Sequence, residues 1–110
     1  MTYRAPVSDI AFTLKHGAGL ANTLAQGGEL SASDIDAVLT EAGRFATDVL
    51  APLNAVGDKF GTPFKDGAIT MPPGWKEAYT AWAAAGWNGL AGPADWGGQG
   101  LPHVLNAACI

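Results

Sequence analysis

The sequence is short of cysteine, histidine and basic charge, and these shortages exclude several kinds of site. The lone Cys109 excludes an internal disulfide, and together with His16 and His103 it offers no zinc-binding spacing. Six Lys and Arg residues are scattered among ten Asp and Glu, for a net charge of -4. No basic stripe is therefore available to neutralise phosphates, so we expect neither a metal site nor nucleic-acid binding.

Long apolar runs are also missing from the chain. No segment approaches the ~20 apolar residues of a membrane span, and the N-terminus lacks the charged start and apolar centre of a secretory signal. We therefore expect a cytoplasmic protein without a membrane span. The hydrophobic content is nevertheless 48% against 15% charged residues, which is high for a free-standing chain and predicts that some surface belongs to a partner.

The strongest secondary-structure signal is a long amphipathic helix, and the fold class that we predict is all-α. The pattern opens at Ser33, with Asp34 in the first turn and Asp36 at the capping-box position. Apolar residues then recur at steps of one, three or four from Ile35 to Phe60. Pro52 falls inside this stripe, so we expect a kink or break near residues 49–51. At 110 residues the chain is about one small domain with a single core.

Weaker signals precede the long helix. A short helix is predicted from Asp9 to His16, with Ser8 as its N-cap and the Gly17-Ala18-Gly19 run as its stop. Residues 20–30 contain Gly27-Gly28 and little charge, which predicts a loop or one weak turn.

The second half of the chain begins with an irregular loop or tiny hairpin, predicted for residues 61–74. Pro73 is expected at the first position of the next helix, and Gly86 is expected to cap its C-terminus. The tryptophan and tyrosine residues of that helix share one face; they are Trp75, Tyr79 and Trp82. This face suits flavin or sugar stacking, but we favour burial in the core.

Gly86 to Pro102 is rich in glycine, tryptophan and proline, a composition that predicts a rigid loop docked on the protein. The apolar residues that need burial there are Trp87, Leu90, Trp96 and Leu101. A last helix is expected after Pro102. Its nearly uninterrupted apolar surface, formed by Val104, Leu105, Ala107, Ala108 and Ile110, predicts self-association through this C-terminal segment.

Candidate chemistry is sparse. Gly97, Gly98 and Gly100 precede a helix and suit an anion-binding nest, but we favour a structural turn that packs Trp96 and Leu101. No carboxylate is spaced along the sequence so that it could orient the His103 imidazole for acid–base catalysis. Cys109 is predicted to be a small buried apolar residue. Since no nucleophile lies beside a base, we assign no catalytic, cofactor-binding or metal-binding residue.

Several short sequence segments, in a fixed order, resemble those of a known enzyme family. They are APVSDIAF, VLAPLNAVGDKFG, DGAITMPPGWKEAY and the GW, GL and GGQGLP of the glycine-rich loop, and they extend from Ala5 to Pro102. In order and approximate spacing the chain resembles the N-terminal helical domain of the acyl-CoA dehydrogenases, in the branch that includes the methylmercaptopropionyl-CoA dehydrogenases.

The resemblance implies a flavoenzyme of fatty acid metabolism that removes the α-proton and β-hydride of an acyl-CoA thioester and reduces FAD. In that family a β-barrel domain and a C-terminal helical domain hold most FAD contacts and the catalytic glutamate. Residues 1–110 then form a single N-terminal helical domain, incomplete at its C-terminus and inactive alone, whose partners are the remaining domains and acyl-CoA. The alternative is a free-standing helical interaction module without catalytic activity.

Overall fold

A computed structural model describes residues 2–25 and 30–110, and helices dominate this part of the chain. The helices are α1 (Val7–His16), α2 (Leu20–Ala25), α3 (Ala32–Phe45), α4 (Ala51–Phe60), α5 (Trp75–Ala84) and α6 (His103–Cys109). A small antiparallel hairpin pairs β1 (Phe64–Lys65) with β2 (Ala68–Ile69). The all-α prediction is therefore confirmed. Across the described ranges, none of the helices is both long enough and apolar enough to cross a bilayer.

The helix α3 begins two residues before the predicted start. Ser31 is its N-cap, and the Ser31 Oγ accepts a hydrogen bond from the Asp34 backbone N–H at 3.2 Å. The Asp34 carboxylate in turn accepts from the Ser31 backbone N–H at 2.8 Å, which completes a capping box and lowers the pKa of Asp34. The prediction of Ser33 and Asp36 was wrong because Ser31 and Asp34 have the same three-residue spacing.

This cap gives a direct test of the start of α3. Replacing Ser31 by Ala removes the acceptor for the Asp34 N–H and should lower the free energy of unfolding by about 1 kcal/mol. Ser8→Ala is the matched control, since Ser8 lies inside α1 and should change stability by less than about 0.5 kcal/mol. Urea unfolding followed by circular dichroism measures both, and equal losses in the two variants would contradict the assigned cap.

The N-terminal elements also depart from the sequence predictions. The helix α1 begins at Val7, and Pro6 occupies the N-cap position that we predicted for Ser8. The helix ends at His16 as predicted. Residues 20–25, predicted as part of a loop or one weak turn, form the short helix α2. Gly19 turns the backbone at φ +66° just before it, and Leu20, the first residue of α2, is buried. Gly27 and Gly28 lie outside the described residues.

The interruption expected near Pro52 takes the form of a π-helical turn at Ala46–Leu50, which connects α3 directly to α4. The Ala51 N–H donates to the Ala46 carbonyl, five residues back. Since proline has no N–H and its ring crowds the preceding turn, a wider turn accommodates Pro52 without ending the helix. The irregularity therefore starts three residues before the predicted position.

The hydrophobic core lies where α1, α2, α3 and α6 meet. Its buried residues are Leu14, Leu20, Ile35, Leu39 and Leu105. The Leu105 side chain is 0% exposed, so α6 packs into its own chain. Leu105 is therefore covered within its own chain, whereas Ile110 at the end of the segment is 85% exposed. The self-association predicted through this segment stays a prediction.

The connection from α4 to α5 contains the predicted tiny hairpin. A two-residue turn of Asp66 and Gly67, both with positive φ, joins strands in which Phe64 pairs with Ile69. Gly74 has φ +85° and is the N-cap of α5, which starts at Trp75. Pro73 was wrongly predicted at the first helical position because the left-handed Gly74 separates it from the helix.

The loop from Gly86 to Pro102 is held by its own backbone. Gly86 follows α5 in the left-handed region, as predicted, and Leu90 is buried. Hydrogen bonds run from Gln99 N to Gly89 O at 2.9 Å and from Leu101 N to Leu90 O at 3.0 Å. The loop folds back on itself through these bonds. Trp96 is 89% exposed, so its predicted burial was wrong.

Candidate functional site

An apolar cavity of about 640 Å³, here called the groove, lies among α1, α3, the π-helical turn, α4, α5 and the end of α6. Its larger side chains are aromatic or aliphatic and come from several elements. They include Tyr3, Leu50, Leu53, Trp75, Tyr79 and Trp82. The groove therefore joins the N-terminal segment to residues more than seventy positions later in the chain.

Small residues bring the walls of the groove together. A Cβ added to Gly57 in α4 would lie 2.7 Å from Cζ2 of Trp75, so a larger residue would displace that indole. A Cβ added to Gly43 in α3 would lie 2.6 Å from Cγ2 of Val7, so glycine lets the N-terminal segment approach α3. These two glycines fix the positions of Trp75 and of the start of α1.

Trp82, which lines the groove, also belongs to an aromatic cluster. Its ring centroid lies 5.6 Å from those of both Phe45 and Trp87, and the two indoles are stacked at 24°. The Trp82 Nε1–H donates to Asn88 Oδ1 at 2.6 Å. Aromatic contacts and this hydrogen bond orient Trp82, and they attach the glycine-rich loop to α5.

The aromatic face of α5 is not core, contrary to the prediction. Tyr79 is 65% exposed, Trp75 is 39% exposed and Trp82 is half-buried, whereas Ala78 is buried. The helical spacing placed the three aromatic residues on one face as expected, but the described elements that contact this face cover Trp82 only in part and leave Trp75 and Tyr79 exposed. Sequence reasoning missed Tyr3 altogether, because an exposed tyrosine before the first helix carries no periodic signal.

The groove can make hydrophobic contacts but offers little for acid–base chemistry. None of the described residues that line it is Asp, Glu, Lys, Arg or His; Asn54 supplies an amide. Cys109 lies at its rim, and partial burial raises the pKa of the thiol. Since the neutral thiol is a poor nucleophile, this cysteine behaves as a small apolar residue, as predicted.

The three glycines considered as an anion-binding nest do not form one. The N–H groups of Gly97, Gly98 and Gly100 donate to the carbonyl oxygens of Ala94, Pro93 and Gly92, at 3.0, 3.0 and 2.8 Å. With these donors occupied, the loop is the structural turn that we favoured, although Trp96 is not packed by it. Within residues 2–25 and 30–110 no buried polar side-chain atom lacks a hydrogen-bond partner.

The remaining sequence candidates lie apart from one another. His103 is exposed in the first turn of α6, and Cys109 is on the last turn of the same helix. His16 contacts the Phe12 ring, with centroids 4.7 Å apart. No cluster of three or more His, Cys, Asp or Glu residues suitable for a metal ion occurs in the described ranges.

Comparison with known proteins shows a similarity to a dehydrogenase. No family model matches the chain. The chain is 40% identical over 110 residues to the 3-methylmercaptopropionyl-CoA dehydrogenase of Ruegeria pomeroyi. The alignment covers 98% of this chain and 19% of the relative, so the chain spans about a fifth of the length of the curated relative that it matches. The resemblance to a dehydrogenase of this branch, predicted from the sequence, is confirmed. That the matched part is the N-terminal domain stays a prediction.

Proposed function

We propose that this chain is the N-terminal helical part of a flavin-dependent acyl-CoA dehydrogenase. The observation that carries the proposal is the 40% identity to such an enzyme, maintained over 98% of the chain. The helical architecture of the described residues supports it. In this proposal residues 1–110 are a single domain that contributes structure, and the remaining polypeptide contributes the chemistry.

The complete enzyme would oxidise an acyl-CoA thioester to its enoyl-CoA, in fatty acid metabolism of the cytoplasm, with FAD as the cofactor. Its FAD-binding and catalytic parts would lie outside residues 1–110. Two findings support this division. The described groove is lined by uncharged residues, and the glycine N–H groups of the loop are occupied by backbone carbonyls.

A second candidate is a free-standing helical interaction module without catalytic activity. The observation that favours it is the exposed apolar groove, since large exposed apolar patches mark interaction sites. Sequencing the reading frame beyond the codon of Ile110 discriminates the two candidates. A frame that continues into further domains supports the dehydrogenase, whereas an immediate stop codon supports the module.

The proposal predicts that the 110-residue chain neither retains FAD nor oxidises acyl-CoA. Purified chain should lack flavin absorbance after gel filtration, and it should not reduce an electron-accepting dye with acyl-CoA above the blank. The positive control is the Ruegeria pomeroyi relative under the same conditions. Retained flavin, or acyl-CoA-dependent dye reduction by the chain alone, would contradict the proposed division of labour.

A further inference from the structure

One asparagine of the chain is followed by glycine, and this pair, Asn88-Gly89, lies in the glycine-rich loop. The other asparagines precede threonine or alanine. An asparagine side chain can react with the backbone nitrogen of the next residue, and glycine at that position has no Cβ to obstruct the attack. Asn88 is also exposed to solvent. The pair therefore combines a reactive sequence with access to water.

The reaction exchanges one amide bond for another within the chain. The Gly89 nitrogen attacks Cγ of Asn88, a new Cγ–N bond forms, and the side-chain amide leaves as ammonia with the proton of the Gly89 nitrogen. Water, the only co-reactant, then opens the resulting succinimide. Its addition at Cγ gives aspartate, whereas its addition at the main-chain carbonyl gives isoaspartate, in which the chain continues through the former side chain.

In the folded loop both reacting groups are held by hydrogen bonds. The Asn88 Oδ1 accepts from the Trp82 Nε1–H at 2.6 Å, which attaches the side chain to α5. The Gly89 N–H donates to the Gly86 carbonyl at 3.1 Å, and the Gly89 carbonyl accepts from the Gln99 N–H at 2.9 Å. An N–H that donates a hydrogen bond loses its proton less readily, and a turn fixed on both sides does not let the Gly89 nitrogen rotate toward Cγ.

We propose that Asn88 is a site of deamidation and isoaspartate formation that is protected in the folded loop and reacts when the loop detaches from α5. Local openings need less free energy than global unfolding, and a reaction confined to the open state proceeds in proportion to its population. Isoaspartate lengthens the main chain by a methylene group, so the bonds of Gly89 to Gly86 and Gln99 cannot re-form with their present geometry. The modification therefore makes an opening of the loop permanent. This proposal goes beyond the dehydrogenase assignment.

The test follows Asn88 in the purified 110-residue chain during incubation at mildly alkaline pH. Peptide mapping by mass spectrometry detects the conversion of the amide to an acid, and an isoaspartyl methyltransferase with labelled methyl donor quantifies isoaspartate. We expect the folded chain to react at least about tenfold more slowly than the chain unfolded in urea, because two hydrogen bonds must break first. Equal rates in the two states, or no reaction in urea, would overturn the proposal.

Trp82→Phe separates the hydrogen bond from the rest of the loop, since it keeps an aromatic ring but removes the donor to Asn88. We expect its folded-state rate, relative to its own rate in urea, to rise about fivefold, the factor for a hydrogen bond of ordinary net strength. Trp87→Phe is the matched control, because Trp87 belongs to the same stack and the hydrogen bond comes from Trp82. Equal acceleration in both variants would indicate general loosening, and slower reaction of Trp82→Phe would mean that the indole activates Cγ; either result contradicts the proposal.

Gly89→Ala is the control for the chemistry itself. A Cβ on Gly89 would lie 3.5 Å from the Gly98 Cα, an ordinary contact distance, so the loop should still fold. The added methyl group hinders ring closure, so we expect most of the reaction at Asn88 to be lost in urea and in the folded chain, and an unchanged rate would exclude the succinimide route. If Trp82→Phe does not fold, the unsubstituted chain compared with and without urea still decides. These results do not depend on flavin or acyl-CoA, so they are distinguishable from a failure of the proposed function.

Discussion

Leu105→Ala is expected to cost about 2–5 kcal/mol and to leave a substantial fraction of the chain unfolded at 25 °C. The Leu105 side chain is completely buried and packs against Leu14, Leu20, Ile35 and Leu39. Seven hydrophobic side chains are buried in the described part of the chain, so a cavity at this position removes a large share of the free energy of unfolding. Urea unfolding followed by far-ultraviolet circular dichroism measures the loss.

Ile110→Ala is the control for Leu105→Ala on the same segment. Its side chain is exposed in the single chain, so truncation should change the free energy of unfolding by less than about 0.5 kcal/mol at concentrations where the chain is monomeric. Similar stability losses in the two variants would mean that α6 does not pack as described. A loss of less than about 1 kcal/mol for Leu105→Ala would contradict its full burial.

Gly98→Ala is the second substitution with a large expected effect. A Cβ at this position would collide with the carbonyl group of Gly92, and both are backbone segments of the same folded loop. Because backbone cannot move aside like the end of a flexible side chain, the loop must open. We expect a cost of about 1–3 kcal/mol, typical of overpacking. Thermal unfolding detected by tryptophan fluorescence reports this loss, since Trp87 and Trp96 lie in the loop.

Gly89→Ala provides the matched control for Gly98→Ala within the same loop. A Cβ on Gly89 would lie 3.5 Å from the Gly98 Cα, an ordinary contact distance. Its effect should therefore stay within about 0.5 kcal/mol. If Gly98→Ala were as well tolerated as Gly89→Ala, the close approach of residues 92 and 98 would be absent in solution.

The existence and order of the helices could be predicted from periodicity, but the burial of the long stripe could not. From Ile35 to Leu39 the stripe is buried, whereas Val56 and Phe60 at its end are exposed. The π-helical turn at Ala46–Leu50 adds a residue to one turn and shifts the phase of the following helix by about 100°. An apolar pattern read at a constant period cannot anticipate such a shift.

Some helix ends have a single candidate residue in the sequence, and others have two candidates of the same type. Gly61 and Gly86 end their helices as predicted, because both adopt positive φ. The start of α3 was misplaced because Ser31 and Ser33 are both good caps, and only the capping-box hydrogen bonds distinguish them. In such cases the local sequence identifies the possible caps, and the tertiary structure determines which of them forms the hydrogen bonds.

The groove could not be predicted from the sequence, because aromatic and aliphatic residues occur both in buried cores and on exposed apolar faces. Helical spacing correctly placed Trp75, Tyr79 and Trp82 on one face of α5. Whether that face is covered depends on which elements lie above it, and spacing within one helix contains no such information. The high apolar content was the one sequence signal that pointed to exposed apolar surface.

The molecule is flat, with extents of 54 × 37 × 18 Å, and this shape affects the heat capacity of unfolding. The heat capacity of unfolding comes chiefly from apolar surface that becomes hydrated, and a compact 110-residue domain would show about 1.3–1.6 kcal/mol/K. In the folded monomer, aromatic and aliphatic side chains such as Tyr79, Phe64 and Ile69 are already exposed to water before unfolding begins. The monomer should therefore have a smaller heat-capacity change, so its stability curve would be broad and low, with weak dependence on temperature.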